Sequence, residues 1–274
     1  MLTSAAVHLA LLSATVFALY PLLWVLSTAL SHGELASARA LPLPESWSLE
    51  HFRLLLGDGT GWLFARQLGN SLLISGATAV TALFVAAPGA YALSRFDFLG
   101  RDFCTRGLAA TQLFPGVAAA IPLYLILDTL HLLDSRLGLI LVYASTAVPF
   151  AVFQLRAAFD SIPRDLEEAA MVDGASQLGA FVIIVLPAAR PALAVTGLFA
   201  FMGAWNEFIL AATFLSREET FTLPIVLQRF VGEHDARWGP FAAGALLVSV
   251  PVMLLFYWLQ RHVVSGLTAG GVKG

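Results

Sequence analysis

Six long apolar runs constrain the fold of this 274-residue chain more than any other feature. A helix that crosses the hydrocarbon core of a bilayer needs about 20 predominantly apolar residues. Runs that meet this requirement with at most one charge lie at 5–30, 68–94, 107–127, 137–155, 191–215 and 238–260. Hydrophobic residues make up 58 % of the chain and charged residues 12 %, against about 25 % charged in soluble domains. The sequence therefore predicts an all-α integral membrane protein with six transmembrane helices.

Composition also argues against several other classes. The net charge of −3 does not favour nucleic acid as a partner. A single cysteine, Cys104, permits neither an intrachain disulfide nor a thiolate metal site. The six histidines are scattered without ligand-like spacing, so no metal site is expected. The first apolar run lacks a basic leader and a small-residue cleavage site, which favours a retained first span.

Two segments outside a simple span pattern are predicted to be special. Pro115, Gly116 and Pro122 lie within the third run and predict an irregular helix there. Such a helix either lines a pathway or is a kinked packing element, and the sequence favours neither. Between the first two runs, the leucines and phenylalanine of 49–56 recur at helical spacing, which predicts a short interfacial helix.

A polar stretch at 160–191 interrupts the apolar pattern. Asp160 or Ser161 is predicted to cap a helix that has Pro163 in its first turn, where a missing N–H costs nothing. The acids at 165, 167 and 168 favour the positive end of that helix dipole. Leu166, Ala169, Ala170 and Asp173 follow helical spacing and predict one face with small side chains at its centre.

The second half of the polar stretch is predicted to be a turn and another helix. Gly174 has the position of a left-handed C-cap, and Ser176 that of the next N-cap. The second helix should run to Leu186 and end at Pro187. This helix–turn–helix is either a connector packed on the chain's own spans or a docking element. Its length favours docking, because adjacent spans need only a few connecting residues.

The sequence contains no recognisable motif that would supply energy for transport. Its only lysine is Lys273, near the C-terminus, outside any phosphate-binding G-x4-G-K-[ST] loop. An ion-coupled carrier would need ionisable groups inside its spans, and only Glu207 fits, with Asp128 marginal. Glu207 is either functional within the membrane or a neighbour-bonded residue near the outer boundary. We therefore expect no enzyme activity, no catalytic residue and no cofactor in this chain.

Basic residues only weakly predict the orientation. Six spans place both termini on the same side as the 95–106 loop and the 160–191 stretch. That side carries eight Lys or Arg residues and the opposite side seven, which leans towards a cytoplasmic polar stretch.

Several motifs resemble the membrane subunits of ABC importers. Glu168-Ala169-Ala170, Gly174, Ile184 and Leu186-Pro187 meet the pattern E-A-A-x3-G-x9-I-x-L-P, the EAA loop of that family. The longer form with Asp173, Phe181, Pro191 and Leu193 resembles the carbohydrate-importer branch. The stretch 204–208, AWNEF, and the tail 266–274, GLTAGGVKG, are similar to the smaller permease subunit of maltose-type importers.

The resemblance implies a type I ABC importer core with a cytoplasmic EAA coupling-helix loop, in a bacterial plasma (inner) membrane with both termini cytoplasmic. It implies three kinds of protein partner: an ATPase dimer that holds ATP and Mg, a second and larger permease subunit, and an extracytoplasmic sugar-binding protein. The loop 216–238 would enter that binding protein. Residues implied in ATPase coupling are Glu168, Ala169, Ala170, Asp173, Gly174, Leu186 and Pro187, and tail contacts are implied for Gly270, Gly271, Val272 and Lys273.

The implied domains are 1–66, the first span with an extracytoplasmic loop; 67–262, a five-helix importer core containing the EAA loop 160–191; and 263–274, a cytoplasmic tail. The implied function is that of a permease subunit for maltose, maltodextrin or a related disaccharide such as trehalose, forming half of the pathway. Other cargo stays open: glycerol phosphate, a polyol or another oligosaccharide, as does an ion-coupled carrier. Pathway candidates are Asn206, Glu207, Gln112 and Tyr124, each of which is also compatible with simple packing.

Overall fold

The computed structural model describes residues 2–33, 41–44, 46–57, 59, 61–114, 116–232 and 236–270. Within these ranges the regular structure is helical, apart from an isolated antiparallel bridge between Val231 and Ala236. The helices are α1 (Leu2–Leu30), α2 (Glu50–Leu56), α3 (Gly61–Arg95), α4 (Arg101–Leu113), α5 (Ala120–Thr129), α6 (Arg136–Asp160), α7 (Asp165–Val172), α8 (Gln177–Ala188, π-helical at Phe181–Val185), α9 (Arg190–Asn206), α10 (Ile209–Phe214), α11 (Leu223–Gln228) and α12 (Trp238–Gly270).

The apolar runs correspond to helices long enough to cross a membrane. Four single helices qualify within the described residues, namely α1, α3, α6 and α12. Two bent pairs qualify when each is counted as one span: α4 with the segment Gly116–Thr129, bent by 97°, and α8 with α9, bent by 77°. The number of candidate spans is thus four to six, in agreement with the all-α membrane fold predicted above.

The third and fifth runs are broken rather than continuous. The predicted irregularity of the third run is confirmed, because α4 ends at Leu113 and a 3-10 turn at Gly116–Ala119 precedes α5. Pro115 lies outside the described residues. The fifth run, expected to be one helix over 191–215, instead contains α9 and α10 separated by Glu207 and Phe208. Apolar composition indicates that a segment lies in lipid, but it does not indicate whether the helix is continuous. The composition of the fifth run is therefore compatible with this break.

The chain folds into two compact units, of which the first comprises 1–68 and 223–253. Here the predicted short helix is confirmed as α2, whose Leu55 is buried. The His51 ring lies so close to Gly239 that a Cβ at position 239 would clash with it, so this close approach of ring and backbone requires glycine. Residues 6–23 of α1 are exposed, and among the side chains of α1 that the structure describes, Ser27 and Ala29 near its end are the buried ones.

The second unit comprises 69–222 and 254–274 and contains the polar stretch. Helix α6 packs along α9, and α3 approaches α9 so closely that a Cβ at Gly197 would lie 3.0 Å from the Leu83 side chain. The buried core combines alanines with larger apolar and aromatic residues of α3, α6 and α8, and it includes Ala189 at the junction of α8 and α9. Its members are Ala86, Ala87, Ala90, Tyr91, Leu93, Ala151, Val152, Leu155, Phe159, Phe181, Val185 and Ala189. This core ends beneath α7.

Candidate functional site

The polar stretch folds as a short helix, a tight turn and a second helix, as predicted, but with shifted boundaries. The hydroxyl of Ser161 donates to the carbonyl of Ala158, so Ser161 ends α6 instead of starting α7. Pro163 consequently precedes α7, which begins at Asp165 without a side-chain cap. The second helix also runs past Pro187 to Ala188, and its π-helical middle was not expected.

The turn between α7 and α8 confirms two of the local predictions. Gly174 has φ of +97°, in a region that residues with a side chain rarely adopt. The hydroxyl of Ser176 accepts a hydrogen bond from the Gly179 amide at 3.1 Å and caps α8. Backbone hydrogen bonds from Gly174 and Ala175 to the last turn of α7 close the motif. The polar stretch therefore has a defined shape in which α7 protrudes between two fixed ends.

Most of the residues predicted for coupling lie on the outer face of this motif. Glu168, Ala169, Asp173 and Gly174 are exposed, as is Leu166. Ala170 departs from the predicted face, because it is only 8 % exposed and packs inward. Leu186 and Pro187 are half-buried in α8. The exposed side of α7 thus combines an acid, a small residue and apolar side chains, with Val172 at the end of the helix.

The inner face of α7 depends on a residue that sequence reasoning missed as an anchor, Glu167. Its Oε1 accepts from Arg95 Nε at 2.6 Å, and its Oε2 accepts from the Tyr91 hydroxyl at 2.7 Å. The Arg95 and Glu167 side chains are each only 6 % exposed. A signal was present in the sequence, because Tyr91 and Arg95 are four residues apart and share one face at the end of α3.

A cavity of about 210 Å³ lies beside the break between α9 and α10. Glu207 lines it and accepts from the Tyr143 hydroxyl at 2.6 Å and from the amides of Leu210 and Ala211 at 2.9 and 3.0 Å. The same carboxylate therefore satisfies the first turn of α10 and faces the cavity. The remaining lining is aromatic, hydroxylated or small: Tyr143, Thr146, Ala147, Phe150, Ala151, Thr196, Phe199, Ala200, Gly203, Ala204 and Leu210.

The other pathway candidates do not line this cavity. Asn206 is exposed and donates to the carbonyl of Met202 at 3.0 Å. Gln112 is exposed on α4, and Tyr124 on α5 lies with its ring 6.5 Å from that of Phe214. The structure therefore brings together Glu207 and the aromatic residues of α6 and α9, and it leaves Asn206, Gln112 and Tyr124 apart from them.

A polar clasp holds the loop that follows α10. Asp134 accepts from the Thr220 hydroxyl at 2.6 Å, from the amides of Ser216 and Arg217, and from the Arg217 guanidinium. Burial alone would raise the pKa of Asp134, but these hydrogen bonds outweigh it and lower the pKa to about 2. Asn70 Nδ2 also donates to the carbonyls of Glu219 and Phe221. The first part of the predicted outer loop is thus fastened to α3 and to the α5–α6 connection.

The remaining predicted sites give no further centre within the described residues. Gly270 is the last residue of α12, and Gly271, Val272 and Lys273 of the predicted tail contact lie outside those residues. Asp128 is exposed near the end of α5. Across the described part of the chain, no three His, Cys, Asp or Glu side chains are placed to hold a metal ion.

Known proteins resemble this chain over nearly its full length. It is 34 % identical over 275 residues to the maltodextrin transport system permease protein MdxG of Bacillus subtilis, covering 100 % of this chain and 98 % of the relative. It is 35 % identical over 268 residues to the galactooligosaccharides transport system permease protein GanQ of the same organism, covering 97 % and 94 %. A solved bacterial ABC transporter involved in the import of the acidic polysaccharide alginate superimposes with a TM-score of 0.80 at 28 % identity, covering 94 % of this chain and 96 % of that one.

Residues 79–269 match the family described as "Binding-protein-dependent transport system inner membrane component". The match includes the whole polar stretch, the cavity at Glu207 and the clasp at Asp134. It also agrees with the apolar helices, which require a membrane as solvent. The chain therefore belongs to the family of inner membrane components of binding-protein-dependent transport systems, as a permease subunit of an ABC importer.

Proposed function

We propose that this chain is one permease subunit of an ATP-driven importer of neutral sugars, such as maltose, maltodextrin or trehalose, and forms half of its translocation pathway. The observation that carries the proposal is α7: a short helix that exposes Glu168 and Ala169, followed by the exposed C-cap Asp173, while its inner face is fixed by a buried ion pair. A surface that is exposed on one side and rigidly anchored on the other suits a lever pressed by another protein. The partner is a dimer of ATPase subunits, which holds ATP and Mg.

In this arrangement α7 sits in a cleft of one ATPase subunit on the cytoplasmic side. Closure of the ATPase dimer on ATP draws the two clefts together, and the seated helices carry the membrane spans from an inward-open to an outward-open state. Glu168 supplies the polar contact in the cleft, and Gly174 permits the turn that lets α7 protrude. We expect the C-terminal residues 270–273 to reach the same ATPase dimer. Since six spans leave both termini on one side of the membrane, both termini would then be cytoplasmic.

The chemistry of the cavity supports a neutral sugar as cargo. Aromatic faces suit the apolar faces of sugar rings, and the hydroxyls of Thr146 and Thr196 with the Glu207 carboxylate suit sugar hydroxyls. Glu207 already accepts three hydrogen bonds from the described residues, and a carboxylate accepts about four, so one acceptor position is left for a ligand. Among the described residues, no arginine or lysine lines the cavity, which disfavours glycerol phosphate because its phosphate would meet a carboxylate without a cation.

The names of the relatives support the same cargo class. MdxG is named for maltodextrin and GanQ for galactooligosaccharides, and both align along nearly the whole chain. The alginate transporter imports an acidic polysaccharide, which the Glu207 cavity would disfavour on the charge argument above. An extracytoplasmic binding protein would deliver the sugar to the clasped loop after α10, and a second, larger permease subunit would complete the pathway.

Co-purification followed by reconstitution tests the proposal. We expect the chain to purify in detergent with an ATPase dimer and a second permease. In proteoliposomes, ATP hydrolysis should rise when a binding protein loaded with maltose, maltotriose or trehalose is added outside, and labelled sugar should accumulate with it. Glycerol 3-phosphate and an ATPase-inactive Walker lysine variant of the partner are the controls. A chain that purifies alone and moves solute without ATP would refute the proposal.

A further inference from the structure

The ion pair beneath α7 joins two elements that are far apart in sequence. Arg95 ends α3, and Glu167 lies 72 residues later in the second position after the start of α7. Both carboxylate oxygens of Glu167 are engaged, one by Arg95 and the other by Tyr91. Burying two charges is costly unless their geometry and remaining hydrogen bonds are well satisfied. The pair therefore specifies one position of α7 against α3 and penalises others.

Further hydrogen bonds extend this contact along the chain that leads into α7. Arg95 Nη2 donates to the carbonyl of Ile162 at 2.9 Å, and Arg164 Nη2 donates to the carbonyl of Ser94 at 3.1 Å. The Ser94 hydroxyl donates to Asp160. The last turn of α3 thus holds three successive points of the connection, at 160, 162–164 and 167. We call Tyr91, Arg95 and Glu167 the polar anchor.

Besides these hydrogen bonds, α7 contacts α8, but α7 itself has few buried side chains. Its buried residues are Glu167 and Ala170, and Ala170 contributes only a methyl group. Tyr91 links the anchor to the core below, because its ring lies 4.5 Å from that of Phe181 and 6.4 Å from that of Phe159. The ring of Tyr91 thus packs among core aromatic residues of α6 and α8, while its hydroxyl donates to Glu167 of α7. Displacing α7 would break charge-assisted hydrogen bonds and expose buried charge, so α7 and the end of α3 should move together.

We propose that the polar anchor is the transmission element of this subunit: Arg95, Tyr91 and Glu167 are positioning residues that convert motion of α7 into motion of α3. This inference rests on the proposed function, since it needs an ATPase to displace α7. The two adjacent acids then have different roles. Glu168 contacts the ATPase, and Glu167 binds α7 to α3 of the same chain. Loss of the anchor leaves the docking surface in place but lets α7 shift without carrying α3.

The test compares variants of the anchor in the complete transporter, purified with its ATPase and second permease and reconstituted in proteoliposomes. The variants are Glu167→Gln, Arg95→Gln, the double variant and Tyr91→Phe, and the matched control is Asp102→Asn, an exposed acid in the first turn of α4 and outside the docking helix. Three quantities are measured: co-purification of the ATPase, sugar transported per ATP hydrolysed, and hydrogen exchange of the α7 amides in the complex.

We expect Glu167→Gln to retain the ATPase, to transport at least about fivefold less sugar per ATP, the lower end of usual coupling factors, and to exchange its α7 amides faster. The double variant should be no worse than the worse single variant, because both break one pair. Asp102→Asn should match the wild type in all three quantities. Tyr91→Phe removes a single hydroxyl and replaces Glu167→Gln in the test if that variant fails to insert into the membrane. We expect Tyr91→Phe to transport less sugar per ATP than the wild type and to exchange its α7 amides faster.

Two outcomes would overturn the inference and leave the proposed function intact. One is wild-type transport per ATP in the inserted anchor variants, and the other is a double variant whose losses are the product of two independent effects. Failure of the proposed function would look different, because the wild-type chain would then neither retain an ATPase nor couple sugar uptake to ATP.

Discussion

Replacement of Gly174 tests how far coupling depends on one backbone conformation. Its φ of +97° lies outside the regions open to residues with a side chain, yet a Cβ at this position would meet no atom of the described chain within 4 Å. Alanine at position 174 therefore causes no clash, and its free-energy cost comes only from the strained backbone conformation. A positive φ costs an L-residue about 1–2 kcal/mol. That cost lowers the occupancy of the observed turn about fivefold to thirtyfold relative to alternative turns.

Gly100 offers a matched control on the same unit. Its φ is +95°, its Cβ position is equally open, and it precedes α4 instead of following α7. Gly100→Ala should therefore cost the same backbone free energy at a place away from the predicted ATPase contact. Gly174→Val adds a β-branched side chain, which restricts the backbone further and should have a larger effect than Gly174→Ala.

The assay is sugar transported per ATP hydrolysed in proteoliposomes, with thermal stability of the complex measured alongside. We expect Gly174→Ala and Gly100→Ala to lose similar stability, but only Gly174→Ala to lower transport per ATP, by a factor within about fivefold to thirtyfold. Equal losses of coupling in both variants would show that general destabilisation, and not the shape of the turn, is responsible. Normal coupling in Gly174→Val would refute the reasoning outright.

Three more perturbations follow from the site. Glu168→Lys places a cation on the exposed face of α7, so we expect normal membrane insertion but loss of ATPase co-purification; retention of the ATPase would contradict the docking role. Tyr143→Phe removes a hydrogen bond to the Glu207 carboxylate and should cost about 1.5–3 kcal/mol of stability, which thermal unfolding of the complex would measure, with an unchanged melting temperature as the contrary result. Asp134→Asn should loosen residues 216–222 to proteolysis. Because the folded pKa of Asp134 is lowered from 3.8 to about 2, its stabilisation is fully present above the ordinary value and is lost as the pH falls from there through about 2. The difference in stability from Asp134→Asn should therefore be constant between about pH 5 and 8.

Local chemistry made several elements of the fold predictable. The positions of the apolar runs predicted the positions of the spans, because a segment that crosses a bilayer as a helix needs about 20 predominantly apolar residues. Gly174 and Ser176 were predictable for a similar reason: each satisfies a backbone requirement within three residues of itself. The short helix α2 belongs to the same group, since its apolar spacing is contained in seven residues. Features that depend on residues close together in the sequence can therefore be predicted from the sequence alone.

The break in the fifth span illustrates a limit of composition. Residues 191–215 are apolar except at polar positions such as Asn206 and Glu207, and two polar residues in a span do not by themselves predict that α9 ends at Asn206. The break is stabilised by the Glu207 carboxylate, which accepts from two amides of α10 and from Tyr143 on α6. Tyr143 is 64 residues away. Glu207 is unusual in an apolar run, but the sequence does not indicate that Tyr143 is the partner of its carboxylate.

The two adjacent acids of α7 show what determines which side of the proposed coupling helix is exposed. An isolated helix of eight residues is far below the roughly 12–15 residues that are marginally stable in water, so α7 must be held by attachment. A docking role requires one face to stay free, which leaves a narrow inner face for that attachment. Successive residues of an α-helix point about 100° apart, so Glu167 and Glu168 cannot share a face. Arg95, supplied by the end of α3, selects Glu167 for the inside. The exposure of Glu168 is therefore a consequence of the anchor beneath its neighbour.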